Sequence, residues 1–304
     1  MRKMLLAHAA AATAALSAGT AVVATRFVIG ETDPISLVFY RYLISIVCFA
    51  PFLPALWPRD GLGAAEYIKI AMFGILFFVL FPWAFNASLQ YNPAARGAVG
   101  LATIPIQTLL VAAAFGRERM TTAKVAGVLL AFSGILVAFS VEAIGDANTS
   151  YFCGDALMLL GVFCAAVYSV LSRPTLMRCG PLFVTALAMA FAVVALLPVV
   201  AVKNGGVTLP AFTLKGWLAV AFLGTVAGTL QFSLFMWALR WLPPTTTVLY
   251  LTLNPITAMI LGIVLLGETL TFALMGGMAL VLVGITIGTG VYSAQRRLAT
   301  DETS

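Results

Sequence analysis

Charge is scarce in this chain: Asp, Glu, Lys and Arg supply 9% of 304 residues, against about a quarter in an ordinary soluble domain. So few ionic side chains cannot cover a folded chain of this size in water, which excludes a soluble globular enzyme and makes lipid the missing solvent. Histidine is reduced to His8, and no Asp or Glu falls in the middle of an apolar run. A membrane-embedded enzyme, the alternative of a different class, needs a nucleophile with its base or a carboxylate cluster holding a metal, and the residues argue against both. A channel would show rings of charge or a carbonyl filter, and neither is apparent. Cysteine stops at four, with Cys48 and Cys164 inside apolar runs, Cys153 and Cys179 near the ends of one run, and no CxxC. Neither a disulfide framework nor a metal site is indicated, and no cofactor is implied.

What the chain has in abundance is hydrophobic length. At 62% apolar residues and about 20 residues per bilayer crossing, it holds ten crossings with short connections. Apolar windows bounded by charge, Gly and Pro fall at 5–29, 35–56, 68–89, 94–115, 121–140, 153–172, 181–202, 214–239, 245–266 and 271–292. Arg2 and Lys3 before an Ala-rich run resemble the start of a signal peptide. The run continues to Ile29 and has a counterpart in the second half, so it reads as a retained first helix. With the N-terminus inside, twelve Lys and Arg fall on the cytoplasmic side and four, Arg26, Arg96, Lys203 and Lys215, on the other, with Arg41 inside a span. That asymmetry places both termini in the cytoplasm of a bacterial-type inner membrane, and it accounts for the net charge of +6 without a nucleic-acid partner.

The two halves repeat each other. A shift of 150 residues superposes Gly74 on Gly224, Phe85 on Phe235, Pro93 on Pro243, Pro105 on Pro255, Glu118 on Glu268, Gly127 on Gly277 and Gly134 on Gly284. A shift of 147 aligns Arg26 with Arg173, Pro34 with Pro181 and Pro51 with Pro198. Two copies of five helices, 1–147 and 148–304, follow. Because five is odd, the copies enter the membrane from opposite sides, so the expected fold is all-α: ten transmembrane helices in two inverted five-helix repeats around a central cavity, an arrangement typical of secondary transporters.

Particular stretches carry a family likeness: PISLVFYRYLIS, TIPIQTLLVAAAFGRERMT and KVAGVLLAFSGILVAF in the first half, TLNPITAMILGIVLLGETLT and MGGMALVLVGITIG in the second. In these, and over nearly the whole chain, the sequence resembles the EamA branch of the drug/metabolite transporter superfamily. The resemblance implies a carrier that exports amino acids or other metabolites; one branch, the YddG-like carriers, exports aromatic amino acids. Drug or nucleotide-sugar carriage lies within the same superfamily, although a phosphate ligand should draw several inward cations and only Arg41 qualifies. Many relatives have Trp-Gly in the first helix where this chain has Ala18-Gly19, so no helix-one site residue is carried over from the family.

Site candidates come from groups that lipid does not tolerate alone. Pro82, Pro105 and Pro255 in helix interiors each free a carbonyl, which reads either as a kink absorbed by packing or as a hinge or cavity edge. Ser17, Thr20, Trp83, Asn86, Gln107, Tyr168, Ser169, Gln231, Trp237, Tyr250 and Asn254 sit near mid-membrane. Each alone is an interhelical bond or interface anchor; together they favour a pocket. Phe77, Phe78, Phe81 and Phe235 supply apolar walls, and amides beside aromatics suit a small neutral or zwitterionic substrate such as an amino acid. Glu118 and Glu268 close helices on opposite faces and read as caps or boundary pairs. Arg41 has two readings, structural snorkelling or pairing with Glu31 or Asp33, and attraction of a substrate carboxylate. His8 likewise reads as a boundary residue or a proton carrier. Gly224-xxx-Gly228 and Gly284-xxx-Gly288 permit close helix approach and leave the oligomeric state open.

Overall fold

The computed structural model describes residues 2–28, 31–58, 61–88, 91, 100–143, 150–203, 212–254, 256–257, 260–261 and 272–289. Among them there is helix and no strand. The elements are α1 Arg2–Val28, α2 Pro34–Phe49, α3 Ala64–Ser88, α4 Ile104–Ala114 and α5 Thr122–Ala143, then α6 Ser150–Leu171, α7 Pro181–Lys203, α8 Leu214–Trp241, α9 Pro244–Leu249 and α10 Phe272–Thr289. Each of the ten expected windows holds one of them. Lys3–Ala21, Ala64–Ser88, Tyr151–Leu171, Pro181–Lys203 and Leu214–Trp241 are long and apolar enough to cross a bilayer. Large apolar side chains such as Phe152, Val202 and Phe272 are exposed on the outside, as a lipid-facing surface requires.

Ends and breaks have local causes. Asp33 caps α2, accepting from the N–H groups of Ile35 at 3.0 Å and Ser36 at 3.2 Å, with Pro34 in the first turn. Thr213 caps α8 through the N–H of Gly216 at 3.1 Å. Three windows are shorter or more broken than expected. Pro51 stops α2 before a separate turn of helix at Leu53–Leu56, whereas its counterpart Pro198 lies within α7. A short helix, Arg173–Cys179, joins α6 to α7. Pro105 is not in a helix interior: the chain turns at Ala102 and Thr103, and the proline sits in the first turn of α4, where its missing N–H costs nothing. Helix α9 passes likewise into a tight turn of 3-10 helix, Tyr250–Thr252. Both copies therefore break their fourth helix at the same register. Pro255 and Glu268 lie outside the described residues.

Glycine contacts give the relative direction of the halves. Gly127 of α5 lies against Gly284 and Gly288 of α10, while Gly134, further along α5, lies against Gly277 and Val281, earlier on α10. These equivalent helices therefore run antiparallel, and two equivalent helices can do so only if the copies are inverted. The same two-fold relation recurs elsewhere: Gly74 of α3 touches the backbone of Ala188 on α7, and its counterpart Gly224 of α8 touches the backbone of Arg41 on α2. Likewise α1 packs on α8 as α6 packs on α3. Small residues at these crossings let backbones approach where lipid offers no hydrophobic drive for association.

Candidate functional site

Mid-way along α3 and α8 the helical ladder widens into π-helix, over Ile75–Leu80 and Thr225–Leu230. The two segments are offset by the repeat register of 150, so the bulge belongs to the architecture. π-Bulges leave backbone carbonyls short of partners and are frequent at functional sites. Their chemical support differs. In α3, Pro82 follows the bulge and cannot donate to the turn before it. In α8 the equivalent residue is Phe232, and side chains do the work instead. The Ser45 hydroxyl donates to the Gly224 carbonyl at 2.7 Å, Thr229 donates to the same oxygen at 3.1 Å, and Arg41 donates through Nη2 to the Ala227 carbonyl.

Arg41 thus neither snorkels nor pairs with Glu31 or Asp33. Its guanidinium lies 5.6 Å from the Phe232 ring centroid and 5.8 Å from that of Tyr42, and its buried Nε has no hydrogen-bond partner among the described residues. The two carboxylates are committed elsewhere. Glu31 accepts from the Thr213 N–H at 2.8 Å and hydroxyl at 2.7 Å, at the start of α8. Asp33 caps α2 and accepts from Lys203 at 2.9 Å. Burial alone would push the Asp33 carboxyl up, but hydrogen bonds from Ser36 and Lys203 outweigh it and hold the carboxyl below its ordinary value.

Between the bulges lies an aromatic cluster from α2, α3, α6 and α8. Phe77 stacks on Tyr168 at 4.4 Å, Phe78 meets Tyr42 at 5.2 Å and Phe232 at 5.1 Å edge-on, and Phe235 lies parallel to Phe77 at 6.4 Å. Phe81 continues the stack beside Pro82. The Tyr168 hydroxyl donates to the Met236 sulfur at 3.1 Å. Phe78, Tyr168 and Phe235, named from the sequence, are brought together here. Gln231, directly after the α8 bulge, is buried, and its Oε1 has no partner among the described residues; Asn254, after the break in α9, has a buried Oδ1 in the same condition. An orphaned acceptor in a low-dielectric interior costs about 1–3 kcal/mol, so both amides are poised to accept from a donor.

The remaining candidates disperse. Thr20 donates to the carbonyl of Ser17 at 2.7 Å, and Ser169 to that of Ala165 at 2.8 Å, so both hydroxyls are occupied by their own helices. Gln107 reaches Thr103 at 3.4 Å and the Leu159 carbonyl at 3.5 Å. Tyr250 meets His8 Nδ1 at 3.0 Å, joining α9 to α1. Glu118 accepts from Lys124 and from the Thr245 N–H at 2.9 Å, tying the end of α4 to the first turn of α9.

Trp83 and Asn86 stand apart from the aromatic cluster. They line a cleft of about 120 Å³ with Asp33, Val38, Leu196 and Lys203. A second cleft, about 260 Å³, is lined by Leu56, Gly180, Leu182, Trp237 and Arg240 among others. Under the repeat registers Asp33 corresponds to Gly180, Ile35 to Leu182, Lys203 to Leu56 and Ala87 to Trp237. The two clefts are therefore one location seen in both copies. The sequence named Trp83 and Asn86 but not Lys203, which is 170 positions from its partner Asp33; the available signal was one of only four cations on that side of the chain.

Comparison with known proteins agrees with this duplicated geometry. The EamA-like transporter family matches residues 5–140 and again residues 152–289. The chain belongs to the EamA-like transporter family. Among the EamA-like relatives, an uncharacterized transporter, YyaM, of Bacillus subtilis is 25% identical over 271 residues, 88% of each chain. An uncharacterized transporter of Archaeoglobus fulgidus is 26% identical over 277 residues, 88% of this chain and 93% of its own. A probable terminal-alkyne amino-acid exporter of Streptantibioticus cattleyicolor is 29% identical over 226 residues, 74% of this chain and 73% of its own. A crystal structure, described only as that of a protein, shares the fold with a TM-score of 0.77 at 22% identity, covering 96% of this chain and 98% of that one.

Proposed function

We propose that this EamA-like chain is a secondary carrier that exports small organic metabolites, foremost neutral and aromatic amino acids, by alternating access in the inner membrane with both termini in the cytoplasm. The observation that carries the substrate class is the two buried amide oxygens without a partner among the described residues, Gln231 Oε1 and Asn254 Oδ1. They can accept from an ammonium, and Gln231 adjoins Phe232, which meets Phe78 in the buried aromatic cluster with Tyr168 and Phe235. The amino-acid exporter among the relatives supports the same class. The two inverted halves would exchange roles about the bulges of α3 and α8, where the helical ladder is already widened.

The test is efflux of a labelled amino-acid mixture from proteoliposomes, with and without a pH gradient. Neutral amino acids should leave faster than from protein-free vesicles, and Gln231→Ala and Asn254→Ala should each slow them about tenfold, the equivalent of one lost charge-assisted bond. Efflux no faster than the control would defeat the amino-acid reading.

A further inference from the structure

The first cleft carries a charged pair at its rim over an apolar floor. Asp33 is held in place by the start of α2, accepting from Ile35 and Ser36 as well as from Lys203 at 2.9 Å. Lys203 is less constrained: it ends α7, its side chain is 48% exposed, and an ammonium has three donors. One bond among the described residues, to Asp33, leaves it able to take an anion without leaving its partner. Val38 and Leu196 form the floor, and Trp83 and Asn86 stand beside the pair.

Packing alone does not require this pair. At the matching place in the other copy the chain puts Gly180 and Leu56, and that copy folds with neither charge; its cleft has Arg240 as its charged residue. The opposite charges belong to one face of the molecule and not to the repeat architecture.

We infer that the cleft of Asp33, Lys203, Trp83 and Asn86 is a binding site for zwitterionic α-amino acids with an apolar side chain. Lys203 takes the carboxylate, Asp33 and the Asn86 side-chain oxygen take the ammonium, and Trp83 covers the side chain. The adjacent charges of an amino-acid head group match adjacent charges on the protein, whereas an amine or a carboxylate alone would engage one and repel the other. The inference rests on the amino-acid carrier reading above and assigns it a second, peripheral station. A lipid with a primary amine and a phosphate shares the zwitterionic chemistry, but about 120 Å³ admits one side chain and not a pair of acyl chains.

The experiment uses the full-length protein in phosphatidylcholine vesicles and three probes of one shape: L-phenylalanine, 2-phenylethylamine and 3-phenylpropionate. Wild type should favour phenylalanine. Lys203→Met should raise its KM about tenfold, as loss of one charge-assisted contact predicts, and lower that of the amine, which no longer meets a like charge. Asp33→Asn, which keeps a capping side chain, should erase discrimination against phenylpropionate, and Lys203→Arg should retain phenylalanine preference. A change of equal size for all three probes, an unchanged phenylalanine KM, or competition by added phosphatidylethanolamine would each overturn the site. Phenylalanine transport with indifferent variants defeats the cleft alone; a wild type that moves no amino acid defeats the carrier reading and the cleft with it.

Discussion

The two halves place the same backbone features at the same register and support them with different side chains. In the first half the bulge of α3 is followed by Pro82, and Gly74 rests on Ala188. In the second half the bulge of α8 has no proline, and Gly224 and Gly228 rest on the stretch of α2 that supplies Arg41 and Ser45. The start of α3 presents Glu66 to Arg178 in the short helix that joins α6 to α7, at 3.2 Å. At the matching start of α8, Gly216 faces Glu31, which accepts from Thr213 instead. Inversion thus governs where backbones touch and where helices widen. Once duplicated, the copies are free to diverge in the chemistry that holds each contact, so the molecule's two faces need not respond alike.

The largest effect should come from breaking what the copies share. An added side chain at Gly134 meets the Gly277 carbonyl at 2.6 Å and the Val281 nitrogen at 2.8 Å, backbone that cannot give way. Gly134→Leu should cost about 3 kcal/mol or more, read as loss of folded protein on heating in detergent, and Gly284→Leu should match it. Equal tolerance of both would refute the antiparallel α5 and α10 seam.

Next come the supports that differ. Arg41→Met leaves the Ala227 carbonyl without its side-chain donor and should cost about 1–3 kcal/mol, while Ala188→Ser at the matching place removes no hydrogen bond and barely changes the volume. A smaller loss, about 1 kcal/mol, is expected for Ser45→Ala, and Thr229, bonded to the same carbonyl, should soften it. Equal losses at Arg41 and Ala188 would show that packing, not the bulge contact, governs this position.

The surface pairs sharpen the comparison least. Glu66→Gln should cost under about 1 kcal/mol and lose its effect in high salt, because Arg178 is largely exposed. Glu31→Gln should persist in salt, since its partners are the Thr213 N–H and hydroxyl. Asp33 adds a pH signature. Its carboxyl is held below the ordinary value, so its contribution is complete above the unfolded value near 4 and is lost as pH falls through the lower folded one. The stability gap between wild type and Asp33→Asn should be flat from neutral down to about pH 4 and close below it; a gap that varies between pH 5 and 8 would contradict this.

Much of this was legible because it repeats or is costly. Ten apolar windows followed from length and composition, and the register of 150 followed from Pro93 on Pro243, Pro105 on Pro255 and Glu118 on Glu268 together with Gly74 on Gly224 and Gly134 on Gly284, a joint spacing that composition does not produce. The bulges left no comparable trace: Ile75–Leu80 and Thr225–Leu230 have no residue type in common that would announce a widened helix. Pro105 looked interior because apolar residues continue on both sides of it, and only the turn at Ala102 and Thr103 made it a helix start. Arg41 was visible as an anomaly, but its partner is a backbone carbonyl 186 positions away, which no side-chain pattern encodes.

The amino-acid order by itself determined the solvent, the number of crossings, the duplication and hence the inversion, since these depend on hydrophobicity, length and the parity of five. Only the tertiary structure decided which polar groups are partnered. It set the Ser45 hydroxyl and Arg41 guanidinium on the α8 bulge, left Gln231 and Asn254 with oxygens open among the described residues, and joined Asp33 to Lys203 at one rim alone. Hydrogen bonds and ion pairs act over a few ångströms, and distances that short between remote residues are set by helix packing, not by position along the chain.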